Sequence, residues 1–230
     1  MARVKNEALS LKSADELDRE LGPLVEEAVI VEGHTFRIYR PDEAKSVGRA
    51  GEVYHAFWAE LWPAARMLAK AVLREPWPAG QEAVEIGCGL GLPGIAALAR
   101  GLRVVFSDYD PTALSFAAAN ARLNGFEDFG VRRLDWNDPP GDWRVPVLLA
   151  SDLIYELVSV APLVGLLKQM LLPGGVCLLA DQDRVPSFLL RETLSGSGLT
   201  YTTQTMRAGQ PGGRRFRGSL FRITHAGGTA

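Results

Sequence analysis

The sequence predicts an α/β protein with a doubly wound, mostly parallel seven-stranded sheet and an antiparallel C-terminal hairpin. Three observations support this fold class. Between residues 83 and 195, short apolar runs alternate with helically periodic segments, the pattern of a parallel sheet covered on both faces. Only a Gly/Pro turn separates the last two predicted strands, so we expect them to pair antiparallel. With 230 residues, 47% of them hydrophobic, the chain is long enough for one domain with a full core.

The N-terminal residues 1–53 are expected to form an extension, and residues 54–230 the main domain. Within the extension we predict a short polar helix over 9–21 and strands over 28–31 and 35–39. One long helix is predicted over 54–73, because its apolar residues recur at helical spacing. The members of that apolar stripe are Phe57, Leu61, Ala65, Leu68 and Val72.

The core elements follow in chain order after the Pro/Gly-rich segment 76–80, which ends the preceding helix. The predicted strands are 83–86, 103–107, 130–134, 146–151, 175–180, 199–206 and 216–224. The predicted helices are 93–100, 112–124, 159–171 and 186–195.

Composition gives little support to several classes of partner. A net charge of −2 provides no global attraction to nucleic acid or to a membrane surface. We therefore expect no membrane association and consider nucleic acid an improbable partner. A local cluster of Arg207, Arg214, Arg215 and Arg217 leaves two interpretations open, a patch that docks an acidic protein surface or an RNA backbone and a solvated hairpin tip. Two cysteines and three scattered histidines indicate neither a disulfide nor a metal site, and we expect a cytoplasmic protein.

The most informative stretch is a glycine-rich turn between a predicted strand and helix. Gly87, Gly89 and Gly91 follow the strand that ends at Ile86. Glycines permit close approach of a ligand to the backbone, and the free N–H groups at the start of the next helix are expected to point at an anion. Asp108 ends the following strand and is placed to accept hydrogen bonds from ribose hydroxyls. The sequence therefore predicts a nucleoside-binding cleft.

Glu85, two residues before the first glycine, indicates which nucleoside the cleft binds. The string E-x-G-x-G-x-G closely resembles class I S-adenosylmethionine-dependent methyltransferases, which are Rossmann-like, and residues 172–176 resemble the turn before their fifth strand. A buried carboxylate would repel the pyrophosphate of NAD but attract the ammonium of a methionine moiety, directly or through water. The resemblance implies S-adenosylmethionine as the cofactor of the domain at 54–230.

Acids also follow the third and fourth core strands. Asp135 is expected to accept the adenine amino group, with the indole of Trp136 over the ring face. Residues 152–155 contain D-x-x-Y, which resembles the signature of the protein-lysine branch of this superfamily. Within that branch the chain is similar to the electron transfer flavoprotein β-subunit lysine methyltransferases and related bacterial proteins. Residues 57–63 match their tryptophan-rich helix, and the resemblance places Trp62 and Tyr109 at the cofactor as well.

The resulting hypothesis is an N-methyltransferase acting on a lysine side chain of a protein. Asp152 and Tyr155 would hold the acceptor amine and orient its lone pair. A small-molecule methyltransferase acting on a nicotinamide-like amine stays open, as does a non-catalytic methyltransferase-like binding protein. An NAD-dependent oxidoreductase is a more distant alternative. The pattern N-P-P-Y, typical of adenine or amide methylation, does not follow the fourth core strand, and the prolines after Asn137 indicate only a turn.

Overall fold

The computed structural model describes residues 9–42, 45–47, 53–139, 141–184, 186–209 and 212–227. Its strands are β1 Leu24–Val31, β2 His34–Pro41, β3 Lys45–Val47, β4 Val53–His55, β5 Glu82–Ile86, β6 Arg103–Asp108, β7 Gly130–Arg133, β8 Val145–Ser151, β9 Leu171–Asp181, β10 Leu199–Ala208 and β11 Phe216–His225. Its α-helices are α1 Ala14–Leu21, α2 Pro63–Arg74, α3 Leu92–Ala99, α4 Pro111–Leu123, α5 Val160–Met170 and α6 Pro186–Gly196.

Seven strands form the central sheet in the order β10-β11-β9-β8-β5-β6-β7. The five strands from β9 to β7 run parallel, whereas β11 is antiparallel to both β9 and β10. The predicted fold class is therefore confirmed. The chain moves from β5 to β6 and β7 on one side and then returns to β8 on the other, so the strand order reverses at β5. A crevice forms outside the carboxyl ends of strands at such a reversal, which is where these sheets bind ligands.

Helices cover both faces of the sheet, and each face has its own apolar cluster. Leu68 of α2, Ile95 of α3 and Leu114 of α4 belong to one cluster. Leu163 of α5 and Leu190 of α6 belong to the other. Strand β5 is buried between these clusters, which explains its apolar composition. The two layers hold the carboxyl ends of β5 and β8 in fixed positions.

The prediction of a single long helix over 54–73 is wrong for its first part. Residues 53–55 form β4, Phe57–Ala59 form one turn of 3₁₀ helix, and α2 begins only at Pro63. Proline disfavours the helical conformation of the residue before it, and Trp62 is accordingly extended with ψ 149°. The Trp62 indole N–H donates to the Phe57 carbonyl at 2.7 Å, so residues 57–62 form a folded loop instead of a helix.

The N-terminal extension packs against α4 and shares its core. Leu17 of α1 and Ile38 of β2 are fully buried in the same cluster as Leu114. Two asparagines, Asn120 in α4 and Asn124 at its C-cap, bind the exposed edge of β2. Asn120 pairs with both backbone groups of Tyr39, and Asn124 does the same with Arg37. The hairpin is thereby attached to the helix that follows β6.

The C-terminal hairpin carries the predicted arginine cluster on its surface. Arg207 and Arg217 lie directly opposite each other on β10 and β11, and both are exposed. Residues 210 and 211 of the predicted turn lie outside the described residues. Within the described ranges, no helix has the length and apolarity required to cross a bilayer.

Candidate functional site

A cavity of about 470 Å³ opens at the carboxyl ends of β5 and β8. Its walls come from six parts of the chain: the loop before α2 with the first turn of that helix, the glycine turn after β5, the end of β6, and the segments after β7, β8 and β9. The sequence-predicted residues that line it are Trp62, Gly87, Gly89, Gly91, Asp108, Tyr109, Trp136, Asp152 and Tyr155. The fold thus brings nine of the eleven predicted site residues to one cavity, and their individual roles remain predictions.

The glycine turn is shaped by backbone conformations that other residues rarely adopt. Gly91 has φ 83° and stands at the N-cap of α3, where its N–H donates to the Cys88 carbonyl at 2.7 Å. Gly89 has φ 50°, and a Cβ there would lie 3.1 Å from the carbonyl oxygen of Trp58. The turn is therefore able to pass close beneath the loop before α2 because Gly89 carries no side chain, and Gly91 likewise leaves room for Ala117 and Phe106.

Glu85 does not line the cavity but lies behind the glycine turn. Its side chain is 1% exposed, and its Oε2 accepts a hydrogen bond from the Gly94 N–H at 2.9 Å. Burial, reinforced by the nearby Asp108, raises the pKa of Glu85 well above its ordinary value, against the lowering effect of the Gly94 N–H. The expectation that the free N–H groups of α3 point at a ligand anion is thus wrong for Gly94, whose partner is Glu85.

Asp108 joins the end of β6 to the glycine turn. Its Oδ2 accepts from the Gly89 N–H and its Oδ1 from the Asp110 N–H, both at 3.0 Å. Burial raises the pKa of Asp108 to about 6, although these backbone donors favour the charged form. The carboxylate still faces the cavity, and each oxygen has a second lone pair with which to accept a ligand hydroxyl.

The two neighbouring residues predicted to contact the adenine, Asp135 and Trp136, have different surroundings. Trp136 lines the cavity, whereas Asp135 does not. The Asp135 carboxylate accepts from both the backbone and side-chain N–H groups of Asn137, at 2.9 and 3.2 Å. Asp135 therefore builds the turn after β7, and the indole of Trp136 is the group available to a ligand.

Asp152 ties three segments together at the opposite end of the cavity. Its Oδ2 accepts from Gln182 Nε2 at 2.8 Å and from the Ala64 N–H at 3.3 Å, and its Oδ1 forms an ion pair with Arg184 Nη2 at 2.8 Å. The backbone of Asp152 is left-handed, with φ 54°, a costly conformation that this network holds in place. Burial raises the pKa of Asp152, while Arg184 and Gln182 oppose the shift.

Aromatic side chains form the rim of this end. Phe57 and Tyr155 stack with ring centroids 5.6 Å apart, and they are 53% and 47% exposed. The Arg184 guanidinium lies over the Trp62 ring at 5.4 Å. Tyr109, 60% exposed, also lines the cavity. The rim is an accessible aromatic surface beside a buried acid.

The sequence patterns predict no individual role for two further residues that line the cavity, although both lie in segments that resemble the family. Arg184 lines the cavity, but no spacing in the sequence indicates that it reaches Asp152. Trp58 also lines the cavity, and its indole N–H is buried with no hydrogen-bond partner among the described residues. A bound ligand could accept this hydrogen bond.

Comparison with known proteins identifies relatives with the same fold. A family model described as lysine methyltransferase matches residues 51–190, more than half of the chain. The ribosomal protein L11 methyltransferase of Marinobacter nauticus is 40% identical over 107 residues, covering 44% of this chain and 33% of that protein. A histidine protein methyltransferase 1 homolog of Dictyostelium discoideum is 32% identical over 114 residues, 45% of this chain and 35% of that protein. The chain thus spans about one third of the length of these two curated relatives.

Solved structures support the fold at lower sequence identity. A ribosomal protein L11 methylase of Lactobacillus delbrueckii subsp. bulgaricus superposes with a TM-score of 0.58 at 20% identity, covering 71% of this chain and 78% of that one. The N-methyltransferase NodS of Bradyrhizobium japonicum, in complex with S-adenosyl-L-homocysteine, gives a TM-score of 0.52 at 17% identity, covering 69% and 83%. At these identities the likeness establishes the fold.

Proposed function

This chain belongs to the lysine methyltransferase family, and from that premise we propose that it transfers a methyl group from S-adenosylmethionine to a lysine side chain of a protein. The observation that carries the proposal is Asp152, a buried acid that lines the end of a nucleoside-sized cavity at the carboxyl end of β8.

The cavity offers groups suited to each part of the cofactor. Asp108 would accept from the ribose hydroxyls, and the indole of Trp136 would cover the adenine. Gly87 to Gly91 would approach the methionine portion, with Trp62 and Tyr109 at its borders. Glu85 would act on the ammonium only through an intervening water or turn atom, since it does not reach the cavity surface.

The capping of α3 favours this cofactor over a dinucleotide. A pyrophosphate bound at the start of a helix uses its free N–H groups and positive dipole end. Here Glu85 already occupies the Gly94 N–H, and Pro93 has no N–H to offer. A second anion at this place would repel the charged form of Glu85 and raise its pKa further.

The residues after β8 fit the handling of an amine. When bound, S-adenosylmethionine supplies a methyl group on a sulfonium, open to in-line displacement by an uncharged amine. A lysine ammonium, with a reference pKa of about 10.4, must first lose a proton. Asp152 would hold the nitrogen through a hydrogen bond and Tyr155 would orient it from the rim, while the proton passes to solvent.

An open rim favours a macromolecular acceptor over a small amine. Phe57, Tyr109 and Tyr155 are each about half exposed at the mouth of the cavity. A small-molecule enzyme gains by enclosing its acceptor on all sides, whereas a lysine at the end of a protein chain needs an open approach. Methylation of a small amine and binding without catalysis are the two alternatives that the test distinguishes.

The test is incubation of the protein with methyl-labelled S-adenosylmethionine and a lysate of the source cells. We expect label in a protein band and, by mass spectrometry, on a lysine. D152N and Y155F should lose most of this transfer, on the order of 10²-fold for the acid, while Y201F, a half-buried tyrosine that does not line the cavity, serves as the matched control. Label found only in the small-molecule fraction would identify the methyl acceptor as a small amine instead of a protein. No transfer despite cofactor binding would support the non-catalytic alternative.

A further inference from the structure

The Arg184 guanidinium lies inside the cavity at the end where the acceptor would bind. Its Nη2 is 2.8 Å from Asp152 Oδ1, and its Cζ lies 5.4 Å from the centre of the Trp62 ring. The loop between β9 and α6 brings it there, across the carboxyl end of the sheet. A cation of the protein therefore already contacts the acid assigned to the acceptor amine.

The two oxygens of Asp152 have different surroundings. Oδ2 faces inward, where it accepts from Gln182 and from the Ala64 N–H at the start of α2. Oδ1 is the oxygen bound by Arg184, whose side chain is 32% exposed, whereas that of Asp152 is 5% exposed. Arg184 is therefore able to swing toward solvent without unpacking the core, and its departure would leave Oδ1 open to the cavity.

The surroundings of Oδ1 have the composition of a cation site. The carboxylate lies against the Arg184 guanidinium, which in turn lies over the Trp62 ring; Phe57 packs beside Trp62 and stacks on Tyr155. Aromatic faces and a desolvated carboxylate both favour positively charged groups. An ammonium entering beside a retained Arg184 would meet a like charge, whereas exchange of one cation for the other keeps Asp152 compensated.

We propose that Arg184 determines the specificity of the acceptor site by standing in for the acceptor: its guanidinium fills the amine position in the free protein, and the substrate ammonium displaces it. This inference rests on the proposed methyl transfer. It specifies the acceptor as a primary amine on an unbranched alkyl chain, because only a cation on a slender stem replaces the guanidinium between Asp152 and the Trp62 ring. Neutral and anionic acceptors fail to displace Arg184.

The decisive test is the R184K variant, which places an amine in the position of the guanidinium. After loss of its proton to solvent, this amine attacks the methyl carbon of S-adenosylmethionine as the carbon–sulfur bond breaks. S-adenosylhomocysteine then leaves with the electron pair, and the methylated amine stays on the protein. We expect the intact mass to increase by one methylene unit per transfer, at a rate independent of protein concentration, with the modification at position 184.

The matched control is R191K, on the neighbouring helix α6. Arg191 pairs with Asp183 and lies over Phe221, and it does not line the cavity. We expect no modification at position 191 and none at position 184 in the wild-type protein. An R184K variant that binds S-adenosylhomocysteine as tightly as the wild type but stays unmodified would overturn the inference, and Arg184 would then be a structural partner of Asp152.

A second variant keeps the inference testable if R184K does not fold. R184Q frees Oδ1, and its S-adenosylhomocysteine complex should bind n-butylamine several-fold more tightly than the wild-type complex does. Equal or weaker binding would contradict displacement. Failure of the wild-type protein to bind S-adenosylhomocysteine would contradict the proposed function itself, so the two failures are distinguishable.

Discussion

The Asp108 carboxylate accepts a hydrogen bond from the Gly89 N–H at 3.0 Å, which ties the end of β6 to the glycine turn after β5. The same carboxylate also accepts from the Asp110 N–H just before α4. The group proposed to bind ribose therefore also shapes the turn that approaches the methionine portion. Cofactor affinity and the conformation of the turn are coupled through one side chain.

Cofactor affinity should depend on pH through Asp108. Its pKa is raised to about 6, so the carboxyl is charged at neutral pH and becomes protonated as the pH falls through that value. Because ribose hydroxyls bond more strongly to the charged form, affinity for S-adenosylhomocysteine should fall below this pH, by at most about 10-fold per pH unit. Calorimetric titration at several pH values measures the slope.

The D108N variant is the control for that slope. Loss of a hydrogen bond to a charged group should weaken binding at neutral pH by about 1.5 to 3 kcal/mol. The pH dependence near 6 should disappear at the same time. An undiminished slope in D108N would assign the titration to another group and remove the support for the ribose contact.

Glu85 should influence stability through its buried charge. Its folded pKa is raised, so the stability it contributes is present at low pH and is lost as the pH rises through that pKa. In E85Q the amide oxygen still accepts from Gly94 without a charge, so its stability relative to the wild type should increase with pH. E85A leaves the Gly94 N–H unsatisfied and should cost about 1 to 3 kcal/mol. Urea unfolding at two pH values distinguishes these outcomes, and a pH-independent difference for E85Q would contradict the account.

Gly94 should tolerate no side chain. A Cβ there would lie 2.4 Å from Phe106 Cε1 and 2.5 Å from Glu85 Oε2. G94A should therefore destabilise the protein by about 1 to 3 kcal/mol through overpacking and weaken cofactor binding by moving the start of α3. The matched control is G165A in the middle of α5, where a Cβ meets nothing within 4 Å; it should stabilise by about 0.5 to 1 kcal/mol. Thermal unfolding measures the change in stability of each variant. Equal changes for G94A and G165A would refute the packing argument.

Asn120 should link the N-terminal hairpin to cofactor binding. Its Nδ2 donates to the carbonyls of Tyr39 in β2 and Leu90 in the glycine turn, at 3.1 and 3.0 Å, and its Oδ1 accepts from the Tyr39 N–H at 2.7 Å. N120A leaves these buried groups unsatisfied, so both stability and affinity for S-adenosylhomocysteine should fall. N124A breaks the exposed bonds to Arg37 and the bond from Asn124 Nδ2 to the Asn120 carbonyl, none of which reaches the glycine turn, and should leave affinity unchanged. Equal affinities for the two variants would show that the hairpin does not act on the turn.

The sheet and most of the cavity could be predicted because their signals are local. Alternating apolar runs defined β5 to β9 and the helices between them to within a few residues, and Asp108 and Asp152 follow directly from their positions at strand ends. Periodicity does not predict the loop at 57–62, because its apolar residues have helical spacing. Pro63 sets the true start of α2, since it disfavours a helical conformation of Trp62.

The remaining features depend on contacts between distant parts of the chain. Glu85 was expected to face a ligand, yet its partner Gly94 lies behind the turn. The Arg184–Asp152 ion pair joins residues 32 positions apart, and the Asn120–Tyr39 contact joins residues 81 apart. No periodicity or short motif carries such information, because it arises only when the strands align at one edge of the sheet.

The most direct test of the central claim is calorimetric titration of the wild-type protein with S-adenosylhomocysteine and, in parallel, with NAD. The cavity formed by the glycine turn, Asp108 and Trp136 predicts saturable binding of the adenosyl ligand and none of the dinucleotide. Binding of NAD without binding of S-adenosylhomocysteine would contradict the account, because the internal capping of α3 by Glu85 would then have failed to exclude a pyrophosphate.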